Sequence, residues 1–169
     1  RINKQEFERA MTNKVELYDT TLRDGTQQEG ISLSVEDKLA ITERLDQLGI
    51  DVIEGGYAGA NPKDDEYFQK VQSLDLKHAQ IAAFGNTRRA NVEASDDPTL
   101  KALLDTKAPI TTLVGKSSEY QVRDVLQTSL EENLAMIADS VTYLKSNGRR
   151  VFFDAEHFFD GYKLNAEYA

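Results

Sequence analysis

Apolar and polar positions along the chain alternate between short apolar runs and longer amphipathic stretches. Five short runs, Val15 to Thr21, Asp51 to Gly55, Gln80 to Phe84, Ile110 to Val114 and Val151 to Ala155, predict β-strands, and each is followed by something helical. After the first run, Ser34-Val-Glu-Asp37 reads as a capping box, and Leu39, Ile41, Leu45 and Leu48 give the helix an apolar side. Gly49 stands where a left-handed residue ends a helix. The second run leads through a turn-rich loop, Tyr57 to Pro62, into a helix around Asp64 to Ser73. Asp97-Pro98 starts a short helix by capping and by proline at its first position. Leu130, Leu134, Ile137, Val141 and Leu144 then mark the clearest helix, with Thr128 and Glu131 as caps and Gly148 as its end. That stripe is too short and too isolated for a coiled coil, so it reads as core packing.

Alternating strand and helix implies parallel strands joined by crossovers. Two architectures share this periodicity, an open doubly wound sheet and an eight-unit (β/α)8 TIM-type barrel. No glycine-rich dinucleotide fingerprint follows any strand, which weakens the first. Lys116-Ser117 after Gly115 is not a P-loop, since the upstream glycine is missing. Polar residues collect where strands end, at Arg23-Asp24, Glu54, Arg88-Arg89, Lys116-Ser117 and Glu156-His157. In a barrel these ends form one face, and that face carries the active site.

A length of 169 residues suits one domain with a sizeable core, and 40% hydrophobic with 29% charged residues is ordinary for a globular chain. No apolar run approaches a membrane span, and the N-terminus lacks the apolar centre of a signal peptide. Without cysteine there are no disulfides, thiolate nucleophiles or cysteine-held zinc sites, and a cytoplasmic home is the default expectation. The net charge of -9 and the absence of a basic face argue against nucleic acid.

Three constellations carry candidate chemistry. The segment Val15 to Gln27 delivers Arg23, Asp24, Gly25 and Gln27 onto one turn; a carboxylate there suits a metal, and a guanidinium suits a carboxylate or a developing oxyanion. Glu54 ends an apolar strand, where a carboxylate costs free energy unless it is paired or binds something; an ion pair with Arg23 meets that need. Asp154, Glu156 and His157 are too polar for a barrel core without a purpose, although a structural hydrogen bond explains His157 equally well, and Asp160-Gly161 reads as a turn. Arg88, Arg89, Lys116 and Ser117 are either substrate contacts or solvated residues, while Tyr57, Tyr67 and Tyr120 read as packing or rim aromatics.

Asp19-Thr-Thr-Leu-Arg-Asp-Gly-Thr-Gln27 closely resembles the opening strand of the pyruvate-carboxyltransferase-like metal-dependent barrels. That family includes the 2-isopropylmalate, homocitrate and citramalate synthases and an acyl-CoA lyase. The stretch Glu54-Gly-Gly-Tyr-Ala-Gly-Ala-Asn-Pro-Lys-Asp64 is similar to the citramalate branch in particular. The resemblance runs from about Val15 to Ala169 and covers about the first five of eight barrel units, so residues 1–169 read as the N-terminal portion of such a catalytic domain.

The resemblance implies an acyltransferase that condenses acetyl-CoA with a 2-keto acid. Pyruvate, giving citramalate for isoleucine synthesis, is preferred over 2-ketoisovalerate, giving 2-isopropylmalate for leucine. It further implies Asp24 as ligand of a divalent metal (Mn, Mg or Zn), Arg23 and Glu156 as catalytic, Gln27 and Glu54 beside Arg23 as substrate-binding, and a homodimer. The family's His-x-His metal pair has no counterpart, since only His78 and His157 occur. The rival expectation is a non-catalytic fragment or interaction module that retains the motifs, or a related homocitrate synthase or acyl-CoA lyase. Either way the isolated chain is expected to be inactive and, with two unpaired sheet edges, to self-associate, stay partly open or aggregate.

Overall fold

The computed structural model describes residues 15–169; residues 1–14, including the segment read above for a signal peptide, lie outside the described residues. Five parallel strands form one sheet in sequence order. They are β1 (Tyr18–Asp19), β2 (Val52–Tyr57), β3 (Gln80–Asn86), β4 (Ile110–Lys116) and β5 (Arg150–Glu156). Helices α1 (Val35–Leu48), α2 (Pro62–Val71), α3 (Pro98–Asp105) and α4 (Leu130–Ser146) lie between successive strands, and a short α5 (Phe158–Leu164) follows β5. Asp160 and Gly161 lie inside α5 and do not form the expected turn.

The sheet is strongly curled. Four inter-strand steps would put β1 and β5 about 19 Å apart in a flat sheet. Instead the Tyr18 and Phe152 rings meet edge to face at 5.5 Å, and Arg150 donates to Glu16 at 3.0 and 2.5 Å. Tyr18, Val52, Ala82, Ile110 and Phe152, one residue from each strand, pack together on the concave side. This is the layered interior of a barrel, here built from five strands. A larger core lies between the sheet and the helices around Leu22, Ile53, Tyr67, Phe68, Leu100, Leu103, Leu113 and Leu144.

β1 is shorter than its apolar run predicts. The Asp19 carboxylate accepts from the Thr21 backbone at 2.9 Å and from its hydroxyl at 3.0 Å, and Thr20 O accepts from both Arg23 N and Gly25 N. The chain therefore turns out of the sheet two residues early. β2 runs longer than predicted, because Gly55 and Gly56 carry it past a register shift. A Cβ at Gly55 would sit 2.3 Å from the Tyr67 ring, so glycine is what lets α2 lie against the strand.

Two helices bury a different stripe from the one expected. On α1 the buried residues are Val35, Lys38, Thr42 and Asp46; Leu39, Ile41 and Leu45 pack beside them, and Leu48 is 75% exposed. The capping box at Ser34 and Asp37 and the left-handed Gly49 are as expected. On α4 the buried set is Asn133, Met136, Ser140 and Leu144, Leu134 is exposed, and Ser129 caps the helix in place of Thr128.

Candidate active site at the concave strand ends

Glu54 is the third residue of β2 and is 1% exposed. A carboxylate so placed must be compensated on both oxygens. Arg23 Nε donates to Oε1 at 2.5 Å, and the Tyr18 hydroxyl donates to Oε2. The Arg23 guanidinium lies 3.9 Å above the Phe84 ring, a cation–π contact. Its Nη1 reaches Asp24 Oδ1 at 3.0 Å, so one arginine bridges a buried carboxylate and an exposed one, Asp24 being 61% exposed. Thr26 Oγ1 donates to Arg23 O at 2.8 Å and closes the turn Gly25–Gln27, on which Gln27 is exposed.

Tyr18 is a residue that the sequence reading passed over. Burial pushes its phenol pKa upward, and the bond to Glu54 adds to this, so the group remains a donor. Its oxygen also lies 2.6 Å from Thr112 Oγ1 on β4. The signal in sequence was slight, a tyrosine in the middle of the first strand run, Val15 to Thr21.

Glu156 ends β5, in register with Lys116 at the end of β4, and the two side chains form an ion pair. Counting in twos along the strands puts Glu54, Phe84 and Thr112 on the concave face, and Lys116 with Glu156 farther toward the C-terminal ends of the same face. Among the described residues no hydrogen bond or ion pair joins Glu156 to Arg23, Asp24 or Glu54. His157 follows with a left-handed backbone, φ +53°, and its Nδ1 lies 3.6 Å from Asp160.

The β3 and β4 ends divide into structural and open groups. Arg88 is buried and held by Glu132 at 2.7 Å and Asp139 at 2.8 and 2.9 Å, tying the β3 end to α4. That pairing removes it as a substrate contact. Ser117 and Ser118 are also buried. Arg89 and Lys116 line an open cavity of about 450 Å³ with Asn86, Thr99, Leu126 and Met136. Of the three tyrosines read as packing or rim aromatics, Tyr67 is fully buried and Tyr120 is exposed; Tyr57 packs edge-on against Phe84 at 5.4 Å.

Residues 14–164 match the family model described as HMGL-like. The chain belongs to the HMGL-like family. It is 58% identical over 154 residues to an (R)-citramalate synthase of Streptomyces coelicolor, covering 90% of this chain and 29% of that protein. A second (R)-citramalate synthase, from Aquifex aeolicus, is 54% identical over 159 residues, 94% of this chain and 30% of the relative. The chain thus spans about 30% of the length of these relatives. A 2-isopropylmalate synthase of Methanocaldococcus jannaschii is 33% identical over 85% of this chain and 26% of its own length. Among solved structures, hydroxymethylglutaryl-CoA lyase from Pseudomonas aeruginosa superposes with a TM-score of 0.64 at 20% identity, covering 83% of this chain and 45% of that one. At that identity the likeness speaks for the fold, a partial (β/α)8 barrel.

In this HMGL-like chain the candidate metal position is incomplete. No group of three or more His, Asp, Glu or Cys side chains suited to a metal occurs among the described residues. Asp24 is one carboxylate, already paired with Arg23. His78 precedes β3 at the opposite end of the sheet from the β5 terminus, where His157 lies. A single carboxylate does not make a transition-metal site, which wants nitrogen donors as well.

Proposed function

We propose that the full-length protein carrying this chain transfers the acetyl group of acetyl-CoA to pyruvate, forming citramalate and releasing coenzyme A. A proton leaves the acetyl methyl group, the resulting carbon bonds to the keto carbon, and the keto oxygen becomes an alkoxide that takes up a proton. Water then cleaves the thioester and frees the thiol. Arg23 is assigned to the alkoxide, where a planar guanidinium supplies directed donors. Glu54 holds Arg23 by its Nε, Gln27 lines the approach from the exposed turn, and Glu156 assists removal of the methyl proton. Asp24 is assigned as one ligand of a divalent metal; the donors described here do not complete that site, so no step is routed through it. A cytoplasmic homodimer belongs to the same proposal.

The observation that carries this reading is the contrast in identity, above one half to citramalate synthases and about one third to a 2-isopropylmalate synthase. The buried Arg23–Glu54 pair supports it, since an arginine anchored at Nε presents the rest of its fork in a fixed direction. Thiol release from acetyl-CoA should be measured with pyruvate, 2-ketoisovalerate and 2-oxoglutarate in turn. Turnover with pyruvate should exceed that with 2-ketoisovalerate by at least about tenfold in kcat/KM, the scale on which a pocket distinguishes extra methyl groups. A preference for either larger keto acid would overturn the substrate assignment.

A further inference from the structure

We propose that Tyr18, oriented by Thr112, is the positioning residue that fixes Glu54 and, through it, the guanidinium of Arg23. The assignment deepens the synthase reading and rests on Arg23 being its substrate-facing group. Direction within the network follows from proton counting. A carboxylate only accepts, so the single proton of the Tyr18 hydroxyl goes to Glu54 Oε2. The 2.6 Å contact with Thr112 then requires the threonine hydroxyl to donate to the tyrosine oxygen. A chain of donors therefore runs from β4 through β1 to Glu54 on β2, which Arg23 meets from the other side at 2.5 Å.

Three strands have to be in place for this chain to form, and each link restricts the next. The Tyr18 ring is held edge-on against Phe152 at 5.5 Å, so its hydroxyl is aimed by packing as well as by Thr112. Arg23 has a competing partner, because Nη1 also reaches Asp24 Oδ1 at 3.0 Å. Were Glu54 free to rotate, the guanidinium would swing toward Asp24 and lose its aim. Tyr18 prevents that by occupying the second oxygen of Glu54. It touches no reacting atom on this account, which makes it a positioning group.

The test uses the full-length protein with Tyr18→Phe, Thr112→Val and Thr112→Ser. Tyr18→Phe keeps the ring on Phe152 and removes the hydroxyl. It should lower kcat about 10- to 100-fold, the usual scale for a supporting hydrogen bond, and leave KM for acetyl-CoA within about threefold. Thr112→Val should act in the same direction, and Thr112→Ser, which keeps the donor, should restore the wild-type rate. A readout independent of activity is exchange of the Arg23 Nε–H proton with water, followed by NMR on arginine-labelled protein; Tyr18→Phe should speed it at least about tenfold. Unchanged exchange in Tyr18→Phe, or Thr112→Ser as impaired as Thr112→Val, would overturn the proposal. If Tyr18→Phe does not fold, the two Thr112 variants decide by the same measurements. A wild-type protein without thiol release would overturn the synthase reading, and the exchange measurement would then decide the role of Tyr18 by itself.

Discussion

Glu54 and Glu156 belong to one concave face, yet their surroundings are opposite. Glu54 is sealed, with a donor on each oxygen and an aromatic ring beneath its arginine. Glu156 stands at the end of an outer strand, half-exposed, with Lys116 as its ion-pair partner. The sealed carboxylate is bound into the fold, and its removal disturbs stability as well as any chemistry. A partly exposed pair contributes little to stability, because water screens it and two long side chains must be ordered to make it. The contrast teaches that one face holds two settings: the β1–β2 side fixes a carboxylate between donors, while the β4–β5 side leaves one half-exposed beside a lysine.

The largest effect should come from Arg23, the group that the proposed function sets against the substrate. In the full-length protein, Arg23→Lys should cut kcat/KM by about a thousandfold, since a point ammonium cannot keep both Glu54 and a bidentate aim. A loss smaller than tenfold in a steady-state thiol assay would break the contrast at its centre. Next, Glu54→Ala should lower unfolding free energy by about 3 kcal/mol, the cost of stranding one member of a buried pair. Denaturant titration reads it, and a change below about 1 kcal/mol would make Glu54 no different from a surface carboxylate.

Glu156→Gln should show the reverse signature, a fall of about a hundredfold in kcat with a melting temperature within about 2 °C of wild type. Stability loss comparable to that of Glu54→Ala would erase the distinction between the two sides.

The smallest effect concerns Asp46, a buried carboxylate in α1. Burial alone would raise its pKa, but N–H donors from Ala79, Lys77 and His78 outweigh that and hold it below the usual value. A group depressed in the folded state stabilises above its unfolded pKa of about 4 and loses that contribution as pH falls through the folded one. Asp46→Asn should therefore unfold with about 1 kcal/mol less free energy than wild type at neutral pH, and denaturant titrations of the two should converge in acid. A gap that widens toward low pH would contradict this assignment.

Asp46 also shows what the sequence hid. The number, order and parallel sense of the strands were legible, as were the Ser34 capping box, the Asp97 cap and the Arg23–Glu54 pair, because local chemistry and spacing determine them. The inward stripes of α1 and α4 were not. Hydrophobic periodicity selects leucines, whereas these helices bury Lys38, Thr42, Asp46, Asn133 and Ser140, most of them satisfied by partners distant in sequence. Lys38 meets Asp64 at 2.5 Å and lies 4.8 Å from the centre of the Tyr67 ring, and Thr42 meets the Tyr67 hydroxyl at 2.8 Å. Polarity in one helix was cancelled by polarity in another, and no window along the chain shows both. Tyr18 escaped notice for the same reason, since Thr112 is 94 residues away.

The contact between Arg150 and Glu16 has a kinetic meaning of its own. Each strand pairs with the one made just before it, so the sheet can grow in the order of synthesis, every new edge finding a template already present. Arg150 and Glu16, 134 residues apart, cannot meet until β5 has left the ribosome. Until then the Tyr18 ring lacks Phe152, and the curvature of the first four strands rests on contacts such as Tyr18 with Thr112. The fifth strand acts as a latch: its arrival adds the Arg150–Glu16 and Phe152–Tyr18 contacts across the arc, late in synthesis.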